Sequence, residues 1–108
     1  MNMSNTMLRL FTEEDHKHKG RLVYDWLLET ARELGIPGGS AFRAIAGYGH
    51  HGRIHEDSFF ELAGRLPVEV MFAASAAQAD ALLARIADEG LQLFYIRTAA
   101  ETGTTGVR

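Results

Sequence analysis

The hydrophobic period of this chain switches from two residues to 3.6 and back, twice, and this alternation restricts the fold more than any other feature. Residues 7–12 alternate, with Met7, Arg9 and Phe11 on one face and Leu8, Leu10 and Thr12 on the other, which predicts a strand. From about Gly20 the spacing turns helical, and Leu22, Val23, Trp26, Leu27, Thr30, Ala31 and Leu34 share one stripe. Gly35 then Pro37 end that helix. Gly38-Gly39-Ser40 reads as a turn and residues 41–48 as a second strand, in which Phe42, Ala44 and Ala46 alternate with Arg43, Ile45 and Gly47. Residues 49–58 form a polar loop with three histidines, and residues 59–66 suit either a helical turn or an extended lead-in.

Pro67 suits the first position of a third strand, whose Val68, Val70 and Phe72 face one way. Ser75-Ala76-Ala77-Gln78 is a capping-box pattern, followed by a helix with Ala79, Leu82, Leu83, Ile86 and Ala87 on its apolar side and closed by Gly90. Residues 91–97 are the fourth strand. The order is βαββαβ, and its natural packing is α+β and ferredoxin-like: a four-stranded antiparallel sheet with two helices on one face. Each helix has a single apolar stripe and covers one sheet face only. The other face is expected to carry Leu8, Leu10, Ile45, Met71 and alternate residues of the last strand. Apolar side chains on an uncovered sheet face call for a partner, most simply another copy of the chain.

At 108 residues the chain has room for one domain, expected over residues 7–98, with a flexible lead-in at 1–6 and a flexible tail at 99–108. It contains no cysteine, which removes disulfides and thiolate metal sites and fits a reducing cytoplasm. No apolar run approaches the roughly 20 residues of a membrane span, and the first residues lack the basic and apolar regions of a signal peptide. A net charge of −3, from 11 basic and 14 acidic residues, disfavours a nucleic-acid binder. The expectation is a cytoplasmic protein that is not itself a membrane protein.

Two blocks go beyond pattern. One is Glu14-Asp15-His16-Lys17-His18-Lys19-Gly20-Arg21-Leu22-Val23-Tyr24; the other runs from Arg43 through Gly47-Tyr48-Gly49-His50-His51-Gly52-Arg53-Ile54-His55 to Leu66-Pro67-Val68. Together they resemble the PII-like proteins grouped as domain-of-unknown-function family 190, over residues 7 to about 97. The resemblance implies a ferredoxin-like subunit in a homotrimer with its sheets turned inward. It also implies that residues 49–58 are the counterpart of the PII signalling T-loop. Wider relatives bind adenine nucleotides or similar effectors in the clefts between subunits and change partner contacts in response. Two departures stand out: the glycine- and lysine-rich phosphate loop of PII is absent, and the T-loop counterpart is short.

The loop His16-Lys17-His18-Lys19-Gly20-Arg21 precedes a helix, where free amides beside lysines and a glycine can hold a phosphate or carboxylate. With Glu13, Glu14 and Asp15 alongside, the same residues also fit a solvated charged loop. The family resemblance makes Lys17 and Lys19 the anion contacts beside Gly20, with Arg53 able to close over the same ligand. Arg43, Gly47, Tyr48, Gly49 and His55 complete the expected ligand-binding set, with Tyr48 able to stack on a base or to pack at a subunit edge. Gly47-Tyr48-Gly49-His50-His51-Gly52 is not a dinucleotide fingerprint, because no helix begins after it. His50 and His51 are candidate metal ligands, with His55, Glu56 and Asp57 nearby, or else exposed loop histidines.

No serine or cysteine nucleophile sits at a strand-to-helix elbow and no acylphosphatase-like turn follows the first strand, so an enzyme is not expected. Phe11, Phe42 and Phe72 do not make the aromatic platform of an RNA-recognition sheet. The leading expectation is therefore a PII-like sensor of a small anionic effector, with an adenine nucleotide as the candidate ligand. Its alternatives are a copper- or zinc-binding trimer using the loop histidines, and a ligand-free trimer read by a partner such as a membrane transporter or an enzyme.

Overall fold

The computed structural model of the chain describes residues 2–48, 55–56 and 66–106, with side chains over residues 5–48 and 66–106. Its elements, in order, are β1 (Asn2–Glu13), β2 (Lys17–His18), β3 (Arg21–Leu22), α1 (Val23–Glu33), β4 (Gly38–Arg43) and β5 (Ala46–Gly47). There follow β6 (His55–Glu56), β7 (Pro67–Ser75), α2 (Ala76–Asp88) and β8 (Phe94–Thr102). The main sheet has four strands in the order β4-β7-β1-β8. All three of its pairings are antiparallel. With α1 and α2 on one face this is the ferredoxin-like βαββαβ plan.

The core lies between that face and the helices. Leu8, Leu10, Val68, Val70, Phe72 and Ala74 from the sheet meet Val23, Leu27 and Ala31 of α1 and Ala79, Leu82 and Ile86 of α2. Cross-strand register makes this assignment, since Leu8 stands opposite Phe72 and Leu10 opposite Val70. The expectation that Leu8 and Leu10 lie on the uncovered face is therefore reversed: they are 0% and 1% exposed, under the helices. The uncovered face carries the other set of β1, paired in register with Met71 and Glu69 of β7 and with Phe94 and Ile96 of β8. Phe42 and Phe94 on this face are 51% and 70% exposed, and Phe11 packs on Phe94 with ring centroids 5.6 Å apart. Arg9 reaches Glu69 at 2.6 Å in its middle. Ile45 lies beyond β4 and is exposed.

Both helix boundaries follow their local chemistry. The Ser75 hydroxyl accepts from the Gln78 amide at 3.1 Å while the Gln78 side chain accepts from the Ser75 amide at 2.9 Å, as the capping-box pattern predicts. The same Gln78 donates to the Gly35 carbonyl at 2.9 Å, tying the end of α1 to the start of α2. Gly35 and Gly90, with φ of +81° and +73°, stand just past the two helix ends.

Several strand boundaries differ from expectation, and pairing partners explain each. Residues 2–6, expected as lead-in, continue β1, because β1 is central and has β7 and β8 on either side. Thr6 donates to the Ala74 carbonyl at 3.3 Å, and Asn5 donates to the Thr102 hydroxyl at 2.6 Å. Residues 99–102, expected as tail, belong to β8 for the same reason. Gly38-Gly39-Ser40 is strand rather than turn, since β4 pairs with β7 from Gly38↔Ala73 to Arg43↔Val68. Helix α1 begins at Val23 rather than near Gly20, because Lys17–His18 and Arg21–Leu22 first pair with one another. Among the described residues no helix is long and apolar enough to cross a membrane.

Candidate functional site

Arg43 and Gly47, two of the expected ligand residues, lie where β1 and β4 end and β7 begins. The Glu14 amide donates to the Leu66 carbonyl at 2.9 Å, and the Ala44 amide to the Pro67 carbonyl at 2.8 Å. These bonds bring the segment after β1 and the segment after β4 to the same point on β7. Arg43 Nη1 meets Glu14 Oε1 at 3.0 Å across them. The second oxygen, Glu14 Oε2, is buried and has no hydrogen-bond partner among the described residues.

Residues 14–22 form a tight hairpin on this end. Lys19 and Gly20 both have positive φ, +51° and +83°, between the paired His18 and Arg21. Two successive positive φ values in a two-residue connection mark the turn whose twist matches the strands it joins, and asparagine or glycine is the usual first residue. Lysine there is uncommon. The turn aims Lys19 and His18 at the end of α2: Lys19 Nζ lies 3.2 Å and His18 Nε2 2.8 Å from Glu89 Oε1. The His18 ring also stands edge-on to Trp26 of α1, with centroids 6.2 Å apart. The hydrogen bond from His18, then that from Lys19, holds the Glu89 carboxyl below its ordinary range. No spacing in the sequence points to Glu89, because its partners are about seventy residues away and meet it only in the folded chain.

Lys17 turns the other way. With Gly20, Arg21, Leu22, Leu28 and Arg32 it lines a cleft of about 610 Å³ along α1. Asp25 and Glu29 also border this cleft, and Glu29 is paired with Arg32. Lys17 and Lys19 are thus two separate cationic points, one at each side of the hairpin.

Gly47 belongs to β5 and stands opposite His55 of β6, the two strands forming a short antiparallel ribbon. A Cβ at Gly47 would lie 3.6 Å from Pro67 Cγ, which seats the base of the ribbon on the start of β7. Tyr48 follows it and is 69% exposed. Gly49, Arg53 and the candidate metal ligands His50 and His51 lie outside the described residues, as do residues 59–65. Among the described residues no three histidine, aspartate or glutamate side chains are grouped to hold a metal ion.

A family model described as DUF190, Uncharacterized ACR, matches residues 5–93, from β1 through the connection that leads into β8. The chain belongs to this family. The 14–22 hairpin and the β5–β6 pair both fall within the DUF190 match. A UPF0166 protein of Aquifex aeolicus (strain VF5) is 47% identical over 64 residues, 59% of this chain and 61% of that protein. A UPF0166 protein of Methanocaldococcus jannaschii is 32% identical over 62 residues, 57% of this chain and 56% of that protein. The chain spans somewhat under two-thirds of the length of these curated relatives.

Among solved structures, this DUF190 chain is similar to CPII, a nitrogen regulatory PII-like protein from Thiomonas intermedia K12 bound to ADP, AMP and bicarbonate. The TM-score is 0.64 at 15% identity, over 93% of both chains. A PII-like signaling protein from Thermus thermophilus superposes with a TM-score of 0.58 at 17% identity, over 93% of this chain and 90% of that one. At these identities the likeness is one of fold, and it agrees with the ferredoxin-like plan.

Proposed function

We propose that this DUF190 protein is a PII-like regulatory protein, not an enzyme, that binds a small anionic effector of the adenine-nucleotide class. The effector lies in clefts between the subunits of a homotrimer, and residues 49–58 carry the response to a partner protein. One observation carries this reading: the segment that leads into the basic hairpin and the segment that leads into β5 converge on the start of β7, in a fold shared with CPII, whose solved form holds ADP, AMP and bicarbonate. Lys17 and Lys19 supply cations on either side of the hairpin, Arg53 adds a third from the loop, and Tyr48 offers an exposed ring for a base. Gly20, Gly47 and Gly49 let backbone approach the ligand, and Arg43 and His55 frame it from the ends of β4 and β6.

The uncovered sheet face supports the oligomer. Exposed Phe42 and Phe94 at its two edges, with Phe11 and Met71 between, make an apolar surface that a second copy would cover. The absence of cysteine fits the reducing cytoplasm in which such a regulator would work.

Thermal unfolding against ADP, AMP, cyclic nucleotides, bicarbonate and divalent metals tests the reading. A ligand at 100 times its Kd adds about 2.7 kcal/mol, which the midpoint resolves. A nucleotide shift lost in Lys17→Ala and Arg53→Ala is expected. A shift with metals alone, lost on replacing His50 and His51 together with alanine, would transfer the function to the histidines. A strict monomer by light scattering would rule out the intersubunit site.

A further inference from the structure

Lys19 and His18 already hold a carboxylate. Glu89 Oε1 sits 3.2 Å from Lys19 Nζ and 2.8 Å from His18 Nε2, with His18 largely covered and edge-on to Trp26. The donor set is that of an oxyanion site: one ammonium, one ring nitrogen and a turn that presents both. That turn places a lysine at a positive φ, where an asparagine or glycine would sit without strain. Non-glycine residues held in the left-handed region cluster at functional sites. Glu89 is the residue just past α2, next to Gly90, so its carboxylate can withdraw without unwinding a helix interior.

We infer that Glu89 competes with an oxyanion of the effector for Lys19 and His18. Binding exchanges the one for the other: a phosphate or carboxylate oxygen of the effector takes Lys19 and His18, and Glu89 releases the residues around Gly90. The inference rests on the effector reading given above and adds to it a competing group within the same chain. The connection from α2 to β8 thereby becomes a second element that responds to ligand, apart from residues 49–58.

Calorimetric titration of the full chain with ADP, supported by amide hydrogen exchange, tests this. Glu89→Gln removes the competing charge and should bind ADP about two- to fivefold tighter, the range that loss of one partly exposed ion pair allows. Lys19→Asn suits the positive φ and keeps the hairpin folded, so a weaker ADP affinity in this variant reports the lost cation rather than a lost turn. In the wild type ADP should speed exchange of amides 88–91, and in Glu89→Gln it should leave them unchanged. Equal or weaker ADP binding by Glu89→Gln, or unaltered exchange at 88–91 in the liganded wild type, would overturn the inference while leaving the effector reading intact. If wild type and Glu89→Gln bind none of ADP, AMP, bicarbonate or pyrophosphate, the effector reading itself fails and this inference falls with it.

Discussion

The ring of Phe72 closes over Gly39: a Cβ at that glycine would meet Cε1 and Cδ1 of the ring well inside van der Waals contact and would lie 3.3 Å from Leu28 Cδ2. Gly39 stands directly opposite Phe72 in the β4–β7 register, so glycine here makes room for a fully buried ring rather than for a turn. Gly39→Ala should therefore destabilise the chain by about 1–3 kcal/mol, the usual result of overpacking a filled core. Chemical denaturation read by far-UV circular dichroism measures it, and a change below about 0.5 kcal/mol would show that the ring moves aside freely.

Arg9 and Glu69 pair at 2.6 Å in the middle of the apolar open face, with the Arg9 guanidinium carbon 5.5 Å from the centre of the Phe11 ring. If copies meet through this face, a charge reversal there faces unpaired charge in every subunit. Arg9→Glu should shift the assembly toward monomer in analytical ultracentrifugation, and adding Glu69→Arg should restore it. An assembly indifferent to both would place the contact elsewhere.

The Ser75–Gln78 box satisfies two backbone amides at the start of α2, and its glutamine also anchors Gly35. Ser75→Ala should cost about 1 kcal/mol, seen as a lower midpoint in thermal unfolding. Gln78→Ala should cost at least as much, because it also leaves the Gly35 carbonyl without its donor. The reverse ranking would mean that the Gly35 contact contributes little.

Glu89 is held below the ordinary carboxyl range by His18 first and Lys19 second. Its folded pKa thus lies under its unfolded value near 4.5, and the sign follows. The stability it contributes is complete above the unfolded value and is lost as pH falls through the folded one. The stability difference between wild type and Glu89→Gln should accordingly shrink as pH falls below about 4.5. Urea titrations between about pH 5 and 3 check it, and a difference that grows as pH falls below about 4.5 would contradict the assignment.

Much of the architecture was legible in the chain because it depends on near neighbours. The capping box at Ser75, the stops at Gly35 and Gly90, and the two apolar stripes of α1 and α2 are set by residues within a turn or two of one another. Those signals determine the βαββαβ order, and the two sequence blocks at residues 14–24 and 43–68 determine the family to which the order belongs. Gly38-Gly39 misled for the same local reason: a glycine pair has the composition of a turn, and only the Phe72 ring across the sheet reveals the close approach it serves.

What tertiary structure alone decided is which side of each strand is inside and which distant charges meet. Both faces of β1 carry apolar side chains, Leu8 and Leu10 on one and Met7 and Phe11 on the other, so alternation defines two faces without ranking them. The choice is made by register with β7, where Phe72 and Val70 lie opposite the two leucines and all four fall beneath the helices. Likewise the 14–22 segment read as a basic loop, whereas in the fold its Lys19 and His18 are engaged by a carboxylate from the far end of α2. Local periodicity is a property of consecutive residues and survives in the sequence. Burial and ion pairing between residues about sixty or seventy apart exist only once the strands have chosen their partners.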